Sequence, residues 1–355
     1  MPGDGTKSIV SRERAARAVA LSSRAMPTAT VLVTHPACNH HDTGLGHPES
    51  QERLPAMHAA TREDAELQEV LLEQLGQRAT EEDLLRVHTP EHVDRIREAA
   101  KLARGRGSIV WLDADTAVSA GSWEAALAAA GCAITAAERV FEGPSSTAFA
   151  LTRPPGHHAT AGVAMGFCLF NNVAVAIRRM QARKRVEKVL VVDWDVHHGN
   201  GTQDIFYEDP TVFVFSLHLS PHYPGTGAAI ERGAGEGRGT TRNVPLPHGT
   251  SAPEYRNRYL GALESILSSF RPDLVMVSSG FDCLAGDPLG GFHLEPQDLH
   301  LLTRDLMERV AEPAGGRIVA ALEGGYVLDR IGSGLVNVLR AFAGLPPRDE
   351  ERGAA

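Results

Sequence analysis

The segment Val191-Val-Asp-Trp-Asp-Val-His-His-Gly-Asn-Gly201 carries Asp193, Asp195 and His197 two residues apart. In an extended chain that spacing points their side chains the same way. Asp282, in Ser278-Ser-Gly-Phe-Asp-Cys283, offers another carboxylate after a separate apolar run. An isolated Asp-x-His at a strand end often only caps a helix, so the metal reading rests on the other carboxyl and imidazole groups beside it. Asp195, His197 and Asp282 supply three oxygen and nitrogen ligands and leave one position for water, the pattern of a catalytic zinc site. Cys168 and Cys283 are read as small buried apolar residues rather than ligands.

Two more motifs could handle protons. His157 and His158 sit in Thr152-Arg-Pro-Pro-Gly-His-His-Ala159, a turn stiffened by two prolines. Beside a metal they are general-base and general-acid candidates, because imidazole titrates near neutrality. Asp193 and Asn200 are placed to orient the two rings. Tyr326 follows Gly324 and Gly325, and its hydroxyl could support a developing oxyanion.

These residues need a scaffold, and the chain reads as α/β. Apolar runs at Thr30–Thr34, Thr147–Leu151, Val189–Trp194, Val212–Leu217, Leu274–Ser279 and Ile318–Leu322 alternate with helical patterns. Continuously apolar strands imply a mostly parallel sheet covered on both faces. Ligands then bind beyond the carboxyl ends of the strands, where all these motifs fall. Helix starts are signalled at Thr80-Glu-Glu-Asp83, Thr89-Pro90 and Ser251-Ala-Pro-Glu254. Tyr255, Tyr259, Leu263, Ile266, Leu267 and Phe270 recur at helical spacing and read as core. Gly225–Arg242 reads as a long loop, and no linker or repeat divides the chain.

The 355 residues are therefore expected to form one catalytic domain over 27–348, with a disordered extension at 1–26 and a polar tail at 349–355. The net charge of −9 and the lack of a basic stripe argue against direct nucleic-acid binding. Four scattered cysteines imply a reducing compartment. With no run long enough to span a membrane, the expected location is cytoplasmic.

Taken together, LGHPESQERL, RPPGHHA, MGFCLFNN, VVDWDVHHGNGTQDIFY, SLHLSPHYPGTG, SSGFDCLAGDPLGG and LEGGY resemble, in this order, the histone deacetylase family. The likeness is to the class II type and to bacterial relatives that act on acetylated lysines or polyamines. It implies the arginase-deacetylase fold, a three-layer α/β/α sandwich around about eight strands. On that pattern Asp195, His197 and Asp282 match the zinc ligands, His158 the general base, His157 its electrostatic neighbour and Tyr326 the carbonyl-polarising phenol. Gly166, Phe167 and Tyr223 match the walls of the acyl channel, and Asp115 falls near a rim aspartate. Potassium is implied at Asp193, Asp195, His197, Ser216 and Leu217, and again near Phe206, Asp209 and Val212. The implied substrate is an acylated lysine in a peptide or protein, or an acylated small amine.

Alternatives divide on a few positions. A two-manganese ureohydrolase needs extra bridging acids, yet Cys283 and Leu284 follow Asp282 and Asn200 stands where another acid would help. Polyamine-specific relatives carry a glutamate seven residues after the last zinc aspartate, where this chain has Leu289. A catalytically silent binding module would have lost a ligand, the base or the tyrosine. Oligomeric state is left open.

Overall fold

The fold described here is that of a computed structural model covering residues 28–348. The expected extension at 1–26 and the tail at 349–355 lie outside the described residues.

Eight strands form one sheet: β1 (Thr30–Thr34), β2 (Leu71–Leu75), β5 (Thr147–Ala150), β6 (Val189–Asp193), β7 (Val212–Leu219), β8 (Thr241–Leu246), β9 (Leu274–Ser279) and β10 (Ile318–Leu322). β3 (Val110–Trp111) and β4 (Ala117–Val118) make a separate antiparallel ribbon. The order in the large sheet is β2-β1-β5-β10-β9-β6-β7-β8, with every pairing parallel. Successive side chains enter opposite faces. Leu190 and Val192 join the core packed by helices 53–62, 252–267, 296–310 and 328–342. Val189 and Val191 join the core packed by helices 90–106 and 172–182 and much of 122–142. Both faces are therefore dry, which explains why these strands lack polar alternation.

The six strands read from apolar runs are all present, within two residues at their ends. The two edge strands escaped that reading. β2, Leu-Leu-Glu-Gln-Leu, is largely exposed, and β8 is Thr-Arg-Asn-Val-Pro-Leu. An edge needs no second apolar face and tolerates proline, so the apolar signal fades there. β8 begins at Thr241, just inside the segment read as loop.

Helix starts follow the sequence signals. Thr80 and Asp83 form a reciprocal capping box, and Thr89 accepts the His92 amide with Pro90 in the first turn. Ser251 accepts the Glu254 amide, with no return bond from Glu254. Tyr255, Tyr259, Leu263, Ile266 and Phe270 are buried, as their spacing implied.

Candidate active site

Parallel strands send all their carboxyl ends to one edge, and five adjacent strands build the site there: β5, β10, β9, β6 and β7. The loop after β5 brings His157 and His158. The end of β6 brings Asp193, Asp195 and His197, β9 brings Asp282, and β10 brings Tyr326. The loop after β7 adds His222 and Tyr223. His157, His158, His197, His222, Tyr223 and Tyr326 line a cavity of about 200 Å³ together with Asp115, Gly166, Phe167 and Leu289.

Around His197, ligand atoms of Asp195, His197 and Asp282 lie within 4.8 Å of one another, all three residues buried. Asp282 Oδ1 accepts the Val196 amide at 2.9 Å, which ties the β9 loop to the β6 loop. Its Oδ2 lies 3.3 Å from His197 Nδ1 yet accepts no hydrogen bond. Burial and the neighbouring Asp195 push the Asp282 carboxyl up to about 7. Two buried carboxylates, one with an unsatisfied oxygen, facing an imidazole make a donor set that a divalent cation satisfies. The chain also leaves room: a Cβ on Gly324 would run into Asp282 Oδ2 and approach Asp195 Oδ2. These residues fit a metal ion.

The two histidines differ in environment. His157 Nδ1 lies 3.0 Å from Asp193 Oδ2. Burial opposes its charge, but Asp195 and Asp193 prevail and hold its pKa well above the usual value. His158 Nδ1 lies 2.7 Å from Asn200 Oδ1. Burial, then the His157 and His197 rings, hold its pKa well below the usual value. The site thus contains one imidazole kept charged and one kept neutral, the division of labour that acid-base chemistry needs.

The walls are narrow by construction. Gly166 has φ 55° and Phe167 φ 69°, an uncommon left-handed pair. A Cβ on Gly166 would strike the His158 ring, so glycine lets the wall close onto that imidazole. Phe167 meets Tyr326 edge-on at 6.0 Å, and Tyr223 meets His158 at 5.2 Å. Asp115 lines the mouth, its carbonyl accepting from His47 Nε2 at 3.1 Å.

The positions expected to hold potassium fall in two places. Asp193 and Ser216 are register partners on β6 and β7, with Leu217 next along β7 and Asp195 and His197 just beyond β6. The other set follows helix 200–206, where Phe206 and Val212 flank Asp209. There the Asp209 carboxylate is engaged by Thr211 and by Arg178 at 2.6 Å.

Several supporting residues were not singled out from sequence. Glu323 Oε2 accepts the Gly156 and His157 amides at 2.6 and 3.0 Å, fixing the histidine turn. Arg53 Nε and Nη2 donate to the Gly325 and Glu323 carbonyls at 2.7 and 2.6 Å, and its guanidinium lies 5.3 Å from the Tyr326 ring centroid. Glu49 pairs with both Arg53 and Arg153, all fully buried. His222 stacks on His197 at 4.9 Å and donates to the Leu289 carbonyl. Glu49, Arg53, His222 and Glu323 all lie within the segments that carry the resemblance. Their presence in those motifs was the only available signal.

The all-parallel α/β/α sheet, with its catalytic-type groups beyond the strand ends, is that of the arginase-deacetylase class of hydrolases. The chain belongs to the histone deacetylase family, residues 47–342 matching its "Histone deacetylase domain". It is 36% identical to "Histone deacetylase 10, chloroplastic" of Oryza sativa subsp. japonica, over 98% of this chain and 80% of that one. It is 42% identical to a "Histone deacetylase-like amidohydrolase" of Pseudomonas aeruginosa, over 70% of this chain and 64% of that one. A crystal structure of the HDA15 HD domain superposes with a TM-score of 0.82 at 36% identity, covering 91% of this chain and 90% of that one. This membership supports a deacetylase-type amide hydrolase.

Proposed function

We propose that the chain is a zinc-dependent amidohydrolase that removes an acetyl or other acyl group from an acylated amine, with the lysine side chain of a peptide or protein as its substrate class. The observation that carries this reading is the convergence of Asp195 and Asp282 on His197, which lines the same cavity as His158 and Tyr326. Asp195, His197 and Asp282 would hold the zinc. When bound, zinc supplies a Lewis acid for the amide carbonyl and lowers the pKa of water.

The chain's own residues do the rest. Gly166, Phe167, Tyr223 and Leu289 confine an extended aliphatic stem and exclude bulk water from its amide end. Asn200 accepts from His158 Nδ1, which leaves Nε2 free to take a proton from the attacking water. His158 Nε2 then returns that proton to the departing amine nitrogen. Charged His157, held by Asp193, sits with its ring 4.0 Å from that of His158 and favours the proton's onward transfer. Tyr326 donates its hydroxyl to the oxygen that becomes anionic as the carbonyl is attacked. Burial keeps that phenol's pKa well above 10, so it remains a donor. Acetate and a free amine are the products.

A single zinc is favoured over two manganese ions because, among the described residues, no further acid joins the Asp-His-Asp group. Leu289 on the cavity wall favours an acyl-lysine stem over a cationic polyamine. Potassium rests on the resemblance alone, and four buried unpaired thiols suit a reducing compartment such as the cytoplasm. Turnover of an acetyl-lysine peptide against N-acetylputrescine, with metal content measured on the same sample, tests the reading. Preference for the peptide supports it, and preference for the polyamine reassigns the substrate.

A further inference from the structure

Away from the catalytic cavity, a second cavity of about 280 Å³ opens beside the free edge of β8. Arg232, Arg242 and Arg258 line it, against one acid, Glu254. That local excess of positive charge stands out in a chain with net charge −9. Some arginines elsewhere are held by carboxylates: Arg178 by Asp209, Arg256 by Asp305 and Arg309 by Glu264. Arg258 reaches Glu254 only at 4.0 Å, and Arg232 and Arg242 have no carboxylate partner among the described residues. Arg242 also buries its Nε with no acceptor. A buried guanidinium N–H without an acceptor costs free energy unless something supplies one.

The wall behind it is held firmly. Asn243, 2% exposed, donates from Nδ2 to Gln203 Oε1 at 2.7 Å, and Gln203 donates to Glu231 at 2.6 Å. Arg242 therefore projects from a braced strand edge, while Arg232 lies in the loop before β8 and Arg258 on helix 252–267.

The geometry points to a binding site for a small oxyanion with two or more negative charges, a phosphate group or a dicarboxylate. Guanidinium forks match both chemistries in a bidentate manner. The space is several times the ~30 Å³ share of one water molecule. This site is independent of the amide hydrolysis proposed above.

Isothermal titration of the full chain with orthophosphate, and separately with malonate, tests it. Saturable binding of at least one anion is expected. The tighter of the two identifies a phosphate or a carboxylate as the source. Arg242→Gln and Arg232→Gln should each weaken binding by about tenfold or more. Glu254→Gln should strengthen it, and Arg106→Gln, on a distant exposed helix end, should leave it unchanged. Should Arg242→Gln fail to fold, the exposed positions Arg232 and Glu254 decide. No saturable heat with either anion, or heat that survives intact in both arginine variants, would overturn the proposal.

Discussion

Asn200 Oδ1 stands 2.7 Å from His158 Nδ1, a neutral amide where a carboxylate would hold the ring's charge. The amide oxygen is an acceptor only, so the His158 proton sits on Nδ1, and Nε2 is the nitrogen left for the proposed base. Asn200→Ala should lower kcat by about 10- to 100-fold, the usual cost of losing a group that orients a catalytic ring. Asn200→Asp should instead raise the His158 pKa, because an anion favours the charged ring. The acid limb of the pH–rate profile then moves to higher pH. An unmoved limb in Asn200→Asp would assign that limb to another group.

Tyr326→Phe keeps the ring's packing against Phe167 and Arg53 and removes only the hydroxyl. Loss of one oxyanion donor costs about 10²–10³ in kcat. Metal content should stay at the wild-type value. Undiminished turnover on an acyl-peptide panel would take Tyr326 out of the mechanism.

Glu49 lies fully buried between Arg53 and Arg153. Burial disfavours its charge, but the two guanidiniums prevail and lower its pKa. Glu49→Ala leaves two buried cations unpaired, which should cost about 3–5 kcal/mol in urea unfolding. It should also loosen Tyr326, since Arg53 anchors the Glu323–Gly325 turn. Wild-type stability in that variant would show the pairs to be dispensable.

His88 gives the fold an acid-sensitive element. Its Nδ1 bonds the Thr160 carbonyl and its Nε2 accepts the Asn171 amide, a neutral ring with both nitrogens used. Burial, then His92, hold its pKa down to about 3. The unfolded ring takes a proton near 6.5, so between about 6.5 and 3 the unfolded state binds more protons. The contribution is whole above about 6.5 and is lost as pH falls toward 3. Urea unfolding at pH 7.5, 5.5 and 4.5 should show this decline, and His88→Gln, weaker at pH 7.5, should decline less. Equal slopes would remove His88 from the acid response.

Leu289→Glu places an anion on the cavity wall. One added charge in a half-buried site should shift the kcat/KM ratio toward N-acetylputrescine by about tenfold or more. An unchanged ratio would mean that the stem preference is set elsewhere.

The buried elements and the residues gathered at the site were legible because apolar runs and polar strand ends carry strong local signals. Val189–Asp193, Leu274–Ser279 and Ile318–Leu322 could be read from continuous burial alone. β2 and β8 could not, since an exposed edge imposes no such pattern. Asp193, Asp195, His197 and Asp282 stood out as polar groups ending apolar strands. Arg53 and Glu49, far from them in sequence, act only through contacts with the Glu323–Gly325 turn and Arg153, and no local period reveals such partners. His222 lay in a recognised motif, but its stacking on His197 depends on how the β7 loop folds back.

In the proposed enzyme, Asp195, His197 and Asp282 together hold one catalytic zinc. Metal analysis of the purified wild-type chain and of Asp282→Asn, alongside acetyl-lysine turnover, tests it most directly. One zinc per wild-type chain is expected, with zinc and turnover lost together in the variant. Two manganese ions per chain, or undiminished turnover after a chelator has stripped divalent metal, would contradict it.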